Sequence, residues 1–301
     1  MPIRYSKTLA GRTVRCILFD FGDTLWTRAE PAVWNRLTET TNQRACTLIQ
    51  SAFPAKDFPQ QDGEPLSRRF RTDLDRYIHA TIRQKPGLEP DGPQAVLDVL
   101  HRWGLKGADY ALGTAIFEAL RVRIPESRAL FHDTKSTLTE LQRRGFILGV
   151  VTNRLWGGQP FLEDMYQIGF DAFFDLSNMS ISADLRIRKP NPAIFMHALN
   201  KLNVAPEEAV MVGDSLRADV GGSQGLNIYS IWKPKPGKRQ RELAMAHSPL
   251  YRQLNQEYAS ASASTTLTQD ASQGAPDESD KEPLPGDDDL ILANRPYDKY
   301  A

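Results

Sequence analysis

Residues 14 to 19 read VRCILF, a mostly apolar run with β-branched members, and they run straight into a carboxylate, Asp20. Such a run is the signature of a strand buried on both faces of a parallel sheet. That one feature constrains the chain most, because a parallel sheet needs crossover helices and a cover on each face. The rest of the chain supplies them after a delay. Pro31 to Gln50 reads as a helix, and Leu66 to Gln84 carries Phe70, Leu74, Tyr77, Ile78 and Ile82 on one stripe. Pro93 opens a helix with Val96, Val99, Leu100 and Trp103 on one face, stopped by Gly104, and Ala108 to Arg123 is a fourth. No strand is expected between residues 27 and 125.

Alternation begins beyond that block. Lys135 to Arg144 reads as a helix ended by Gly145, then FILGVV (146 to 151) as a strand. Phe161 to Ile168 is helical, Phe173 to Leu176 is a candidate short strand, and Asn191-Pro192 caps and starts a helix. Ala209 to Val212 and Ile228 to Trp232 read as strands. The expected fold is α/β, a Rossmann-like parallel sheet with helices on both faces and an inserted helical cap. The expected core covers 13–26 and 126–236 and the cap 27–125. Residues 237–301 form a basic linker and a Ser-, Asp- and Pro-rich tail too polar to offset its ordering entropy, and disorder is expected there.

Composition bounds the function classes. The 301 residues carry 37 basic and 37 acidic side chains, so bulk charge favours neither nucleic acid nor an anionic membrane. No run approaches the roughly 20 apolar residues that span a bilayer. The basic start, with Arg4, Lys7, Arg12 and Arg15, lacks the apolar stretch of a secretory signal and reads as a frayed leader. Cys16 and Cys46 are expected as buried thiols without disulfide or zinc spacing, and a cytoplasmic location follows as the expectation. The five histidines show no ligand spacing, and the basic run from Lys233 to Arg241 has no aromatic platform for nucleic acid.

Polar groups recur where predicted strands end: Asp20 and Thr24, Thr152-Asn153, Lys189 before Pro190, and Gly213-Asp214-Ser215 with Asp219 following. Each alone is ordinary turn chemistry. Converging on one sheet edge, they share a crevice.

In this set and order the chain resembles the haloacid dehalogenase-like superfamily. DFGDTL matches that family's first motif, VVTN the second, the Lys of RKPNP the third and GDSLRAD the fourth. The helical block resembles its C1-type cap. The resemblance implies a Mg²⁺-dependent phosphohydrolase that takes a small phosphorylated metabolite through an aspartyl-phosphate. In that reading Asp20 is nucleophile and metal ligand, Asp214 is the second metal carboxylate, and the Gly22 backbone carbonyl is a ligand. Thr152, helped by the Asn153 amide, donates to the phosphoryl oxygens, and Lys189 offsets charge. Asp219 positions the metal site or Lys189, or is merely an acid on a helix face.

Position 22 departs from the pattern. The family's phosphatases carry there an Asp that protonates the leaving group, and this chain has Gly22 with Asp23 one place later. In extended chain alternate residues share a face, so Asp23 is expected to point away from Asp20 unless a loop breaks the alternation. Asp23 is then either a displaced acid/base, a turn residue, or a residue that supports the site from behind the groups that touch the substrate. The charged cap side chains Arg68, Arg69, Arg71, Asp73, Asp75 and His79 are expected as a solvated helix face. The competing function is a catalytically weak protein of the same fold that binds a phosphorylated ligand or a partner. Dehalogenation is disfavoured by Asp214, and phosphonate cleavage by the absence of a marked cap lysine.

Overall fold

A computed structural model of the chain describes residues 8 to 235 apart from 10 and 59 to 62. The polar tail, the basic residues beyond Lys235, Arg4 and Lys7 lie outside the described residues. A hairpin of β1 (Thr8–Leu9) and β2 (Arg12–Thr13) precedes β3 (Cys16–Phe19), where a frayed leader was expected. Next come β4 (Trp26–Arg28), α1 (Pro31–Ala52), α2 (Leu66–Gln84), α3 (Gly92–Arg102), α4 (Tyr110–Ala119), α5 (Ile124–Ser127) and β5 (Arg128–Leu130). The chain continues through α6 (Thr134–Arg143), β6 (Ile147–Thr152), α7 (Gly158–Gln167), β7 (Ser180–Ile181), α8 (Ser182–Leu185) and α9 (Pro192–Leu202). It closes with β8 (Ala209–Gly213), a π-helical turn over Leu216–Gly221, α10 (Gly222–Gln224) and β9 (Tyr229–Trp232).

Five parallel strands lie in the order β7-β6-β3-β8-β9. The central strand β3 shows why an unpatterned apolar run was required. Ile17 and Phe19 pack with Leu138 of α6 and Phe161 and Met165 of α7. Cys16 and Leu18 pack on the other face with Ile194, Phe195, Ala198 and Leu199 of α9. Both cysteines are buried free thiols, and burial pushes the Cys16 thiol up to about 12.

Helices α1 to α4 build a second apolar centre from Phe70, Leu74, Ile78, Val96, Leu100 and Ile116. It is stoppered by a core loop: Trp156 stacks on Phe117 at 4.6 Å and its Nε1 donates to the Phe117 carbonyl at 3.2 Å. The chain enters and leaves this helical block through an antiparallel pair, β4 with β5, in which Trp26 faces Leu130 and Arg28 faces Arg128. Strand β4 thus reaches into the stretch expected to hold none.

Two expectations are corrected. Phe173 to Leu176 is no strand; Phe174 packs among Phe19, Phe21 and Phe170, and the strand paired with β6 is Ser180–Ile181. The apolar run there reports burial, not pairing. The charged face of α2 is not all solvated either. Arg71 is 0% exposed and its Nε lies 3.2 Å from Asp75, whose carboxyl burial lifts to about 7. Asp73 accepts from Trp103 Nε1 at 2.9 Å.

Candidate active site

Strand register assembles the site. Phe19 is level with Val150 on β6 and Val212 on β8, so the chain beyond all three strands meets at one edge. There Asp20 N donates to the Val212 carbonyl at 2.9 Å. The chain then turns sharply, the Phe21 carbonyl accepting from the amides of Thr24, Leu25 and Trp26 at 2.9 to 3.3 Å. The Phe21 ring pins this turn by packing on Trp26 at 4.4 Å and Phe170 at 5.6 Å.

Lys189 sits at the centre. Its Nζ donates to Asp20 Oδ1 at 2.7 Å and to Asp219 Oδ1 at 2.6 Å, with all three side chains buried. Burial alone would push this ammonium down, but the two carboxylates outweigh it and hold it up. Burial, assisted by Asp219, lifts the Asp20 carboxyl to about 6 against the pull of Lys189. Both groups are therefore charged at neutral pH.

The backbone of Lys189, whose peptide to Pro190 is cis, is clamped by Asn153. Asn153 Oδ1 accepts from Lys189 N at 2.8 Å and Nδ2 donates to Lys189 O at 3.1 Å. The Asn153 side chain therefore holds the Lys189 backbone in place. Asp219 Oδ2 accepts from Ser215 N at 3.0 Å. A helix-face acid this is not: Asp219 is buried against Gly213, where a Cβ would stand 2.2 Å from its carboxyl.

Oxygens of Asp20, Asp214 and Asp219 lie within 4.8 Å of one another. Asp20 Oδ2 is buried and accepts no hydrogen bond. A cluster of hard oxygen donors with an orphaned carboxylate oxygen fits a hard divalent cation.

One pocket gathers Asp20, Gly22, Asp23, Thr152 and Asn153. The backbone at Asp23 is left-handed (φ +54°), which breaks strand alternation and brings this residue into the lining instead of pointing it away. Thr27 Oγ1 donates to Asp23 Oδ1 at 3.2 Å, and Lys235 forms an ion pair with it. Three lining arginines escaped the sequence reading: Arg28, Arg128 and Arg154. Arg154 follows a motif residue and was findable. Arg28 and Arg128 meet only through strand pairing, for which a single sequence holds no signal.

Known proteins resemble this chain in sequence and in fold. A family model for haloacid dehalogenase-like hydrolase matches residues 14–226. The glyceraldehyde 3-phosphate phosphatase of Pyrococcus furiosus is 35% identical over 226 residues, 73% of this chain and 81% of that protein. The phosphoserine phosphatase of Thermus thermophilus is 36% identical over 103 residues, 34% of this chain and 40% of that protein. A 2-haloacid dehalogenase structure from Pseudomonas syringae shares the fold, with a TM-score of 0.52 at 21% identity, over 75% of this chain and 88% of that one. By its matched length and its strand-end carboxylates, the chain belongs to the haloacid dehalogenase-like hydrolase family.

Proposed function

We propose that the protein is a Mg²⁺-dependent phosphohydrolase acting on a small phosphorylated metabolite. One observation carries this reading: a buried lysine charge-paired to Asp20, whose other oxygen accepts no hydrogen bond. That oxygen attacks phosphorus, an Asp20 acyl phosphate forms, and the ester P–O bond breaks toward the leaving oxygen. Water then attacks the phosphorus of the acyl phosphate, the Asp20 O–P bond breaks, and inorganic phosphate leaves with the Asp20 carboxylate restored. Lys189 and the Thr152 hydroxyl stabilise charge on the phosphoryl oxygens. Asp20, Asp214 and the Gly22 carbonyl would hold Mg²⁺, with Asp219 orienting the cluster. When bound, the cation offsets repulsion between an anionic nucleophile and an anionic substrate. The leaving oxygen needs a proton; Asp23 lines the pocket with its carboxylate engaged by Thr27 and Lys235, and Gly22 stands where the family's phosphatases carry the donor. The two curated relatives named above are phosphatases of small phosphorylated metabolites, which supports the same substrate class.

The test is turnover of aryl, acyl and sugar phosphates with and without Mg²⁺, against Asp20→Asn. Activity of wild type well above the variant is expected. The second reading, a phosphate-ligand binding protein with weak catalysis, is favoured by Gly22 and by the Lys235 ion pair that engages Asp23. Ligand-induced stabilisation without turnover would select it. Among the described residues no helix is long and apolar enough to cross a membrane.

A further inference from the structure

Arg28 and Arg128 are register partners on the β4–β5 ladder, and both line the pocket that contains Asp20. Directly opposed residues of an antiparallel pair share a face, and like charges placed so are destabilising. A stem whose only task was to join two structural blocks would gain from opposite charges there. This one instead holds two guanidiniums side by side. Both lie on the same indole: the Cζ atoms of Arg28 and Arg128 stand 5.0 and 4.7 Å from the Trp34 ring centroid. Trp34 is buried, so the stack is fixed by the packing of α1. Stacking restrains the planar forks before any ligand arrives, and a restrained guanidinium loses less entropy on binding a carboxylate or phosphate.

Deeper in the pocket each lysine meets a carboxylate. Lys189 engages Asp20, and Lys235 engages Asp23. The arginine pair stands on the stem side of the same pocket, with Arg128 Nη1 donating to the Ser127 carbonyl at 3.1 Å.

We propose that Arg28 and Arg128 form a subsite for a second anionic group, so that the substrate is a small molecule with a phosphate ester at one end and a carboxylate or second phosphate at the other. This rests on the phosphohydrolase reading and narrows its substrate class. Trp34 is the positioning residue that holds the pair.

The test uses full-length Asp20→Asn protein with Mg²⁺, in which binding is read without turnover. Calorimetry compares 3-phosphoglycerate with glycerol 3-phosphate for the carboxylate arm, and fructose 1,6-bisphosphate with fructose 6-phosphate for the phosphate arm. The doubly anionic member of at least one pair binds about tenfold tighter or better, the size expected of a charge-assisted bidentate contact. That preference falls to within about twofold when Arg28→Gln or Arg128→Gln is added. Arg128→Lys, which keeps the charge and guards against loss of the fold, restores part of it. Equal binding within both pairs, no binding of any probe, or a preference that survives both Gln variants overturns the proposal. Failure of the phosphohydrolase reading shows separately, as absent turnover with Asp20 intact.

Discussion

Position 23 carries an Asp in a left-handed backbone, while Gly22 beside it lies outside that region. The two residues are thus transposed relative to what the backbone asks, since Gly takes positive φ without strain and Asp does so at a modest cost. Two outcomes follow at this scale. Gly22→Asp raises kcat toward alkyl phosphates by about 10- to 100-fold and toward aryl phosphates much less, because only the poorer leaving group depends strongly on a proton donor. Steady-state rates on paired alkyl and aryl substrates check it, and an equal response would assign the proton to a group already present, with Asp23 the first to mutate. The second concerns pH. Burial lifts the Asp20 carboxyl to about 6, above its ordinary value, so a proton competes with a cation as pH falls through that point. Mg²⁺ affinity measured by calorimetry should be flat above pH 7 and drop about tenfold per pH unit well below 6. Of these residues, Asp20, Lys189 and Asp214 were legible because each closes a predicted strand or opens a helix. The direction of Asp23 was not, because alternation holds only in extended chain and one left-handed residue cancels it.

Elements decide how near the charges can come. Strand β8 ends in Gly213 so that Asp219, on the π-helical turn, can lie against its backbone; the Cβ of an alanine would stand 2.2 Å from the Asp219 carboxyl. Gly213→Ala therefore pushes Asp219 off Lys189, and activity should fall at least tenfold with a stability loss of about 1–3 kcal/mol, the range for overpacking. Urea unfolding beside kinetics separates the two, and an unchanged variant would show that the carboxyl can move freely. Helix α2 offers a second case. Arg71 and Asp75 are paired one turn apart inside the helical block. Arg71→Ala should cost about 2–4 kcal/mol by leaving a half-buried carboxyl without its cation and a cavity where the buried Arg71 lay, whereas Arg71→Met with Asp75→Leu should be near neutral. The apolar stripe of α2 was readable from its period of 3.6. That part of its charged face also turns inward was not, since burial of a polar residue depends on a neighbouring helix which periodicity does not see. The same limit misread Phe173 to Leu176: apolar content marks residues that are buried, and pairing needs a partner strand with free edge groups.

On the scale of the whole molecule, a helical block can serve the strand ends only if it is held at a set distance from them. The β4–β5 stem fixes one point. A second lies where the Gly87 carbonyl accepts from Arg188 N at 3.0 Å and Glu89 N donates to the Arg186 carbonyl at 3.1 Å, next to Lys189. The third is Asp164 on α7, a buried acid that accepts from Arg121 Nη1 at 3.0 Å, from Arg123 and from the Ile124 amide at 3.1 Å. Arg121 and Arg123 belong to the segment leaving α4, so one carboxylate ties the exit of the helical block to the sheet's covering helix. The exposed Arg123 arm contributes little, being screened by solvent. The Arg121 guanidinium and the Ile124 N–H matter more, because Asp164→Ala leaves both without their acceptor in a largely dry place. We expect a loss of about 2–4 kcal/mol in urea unfolding, more than a surface ion pair would give. None of the groups at Asp20, Thr152 or Lys189 touches Asp164, so the remaining folded enzyme should keep its kcat within a few-fold while KM rises as the block sits less firmly over the pocket. A fall in kcat with KM unchanged would mean instead that α7 transmits strain to the end of β6, and that the tether supports the chemistry itself rather than the placement of the substrate.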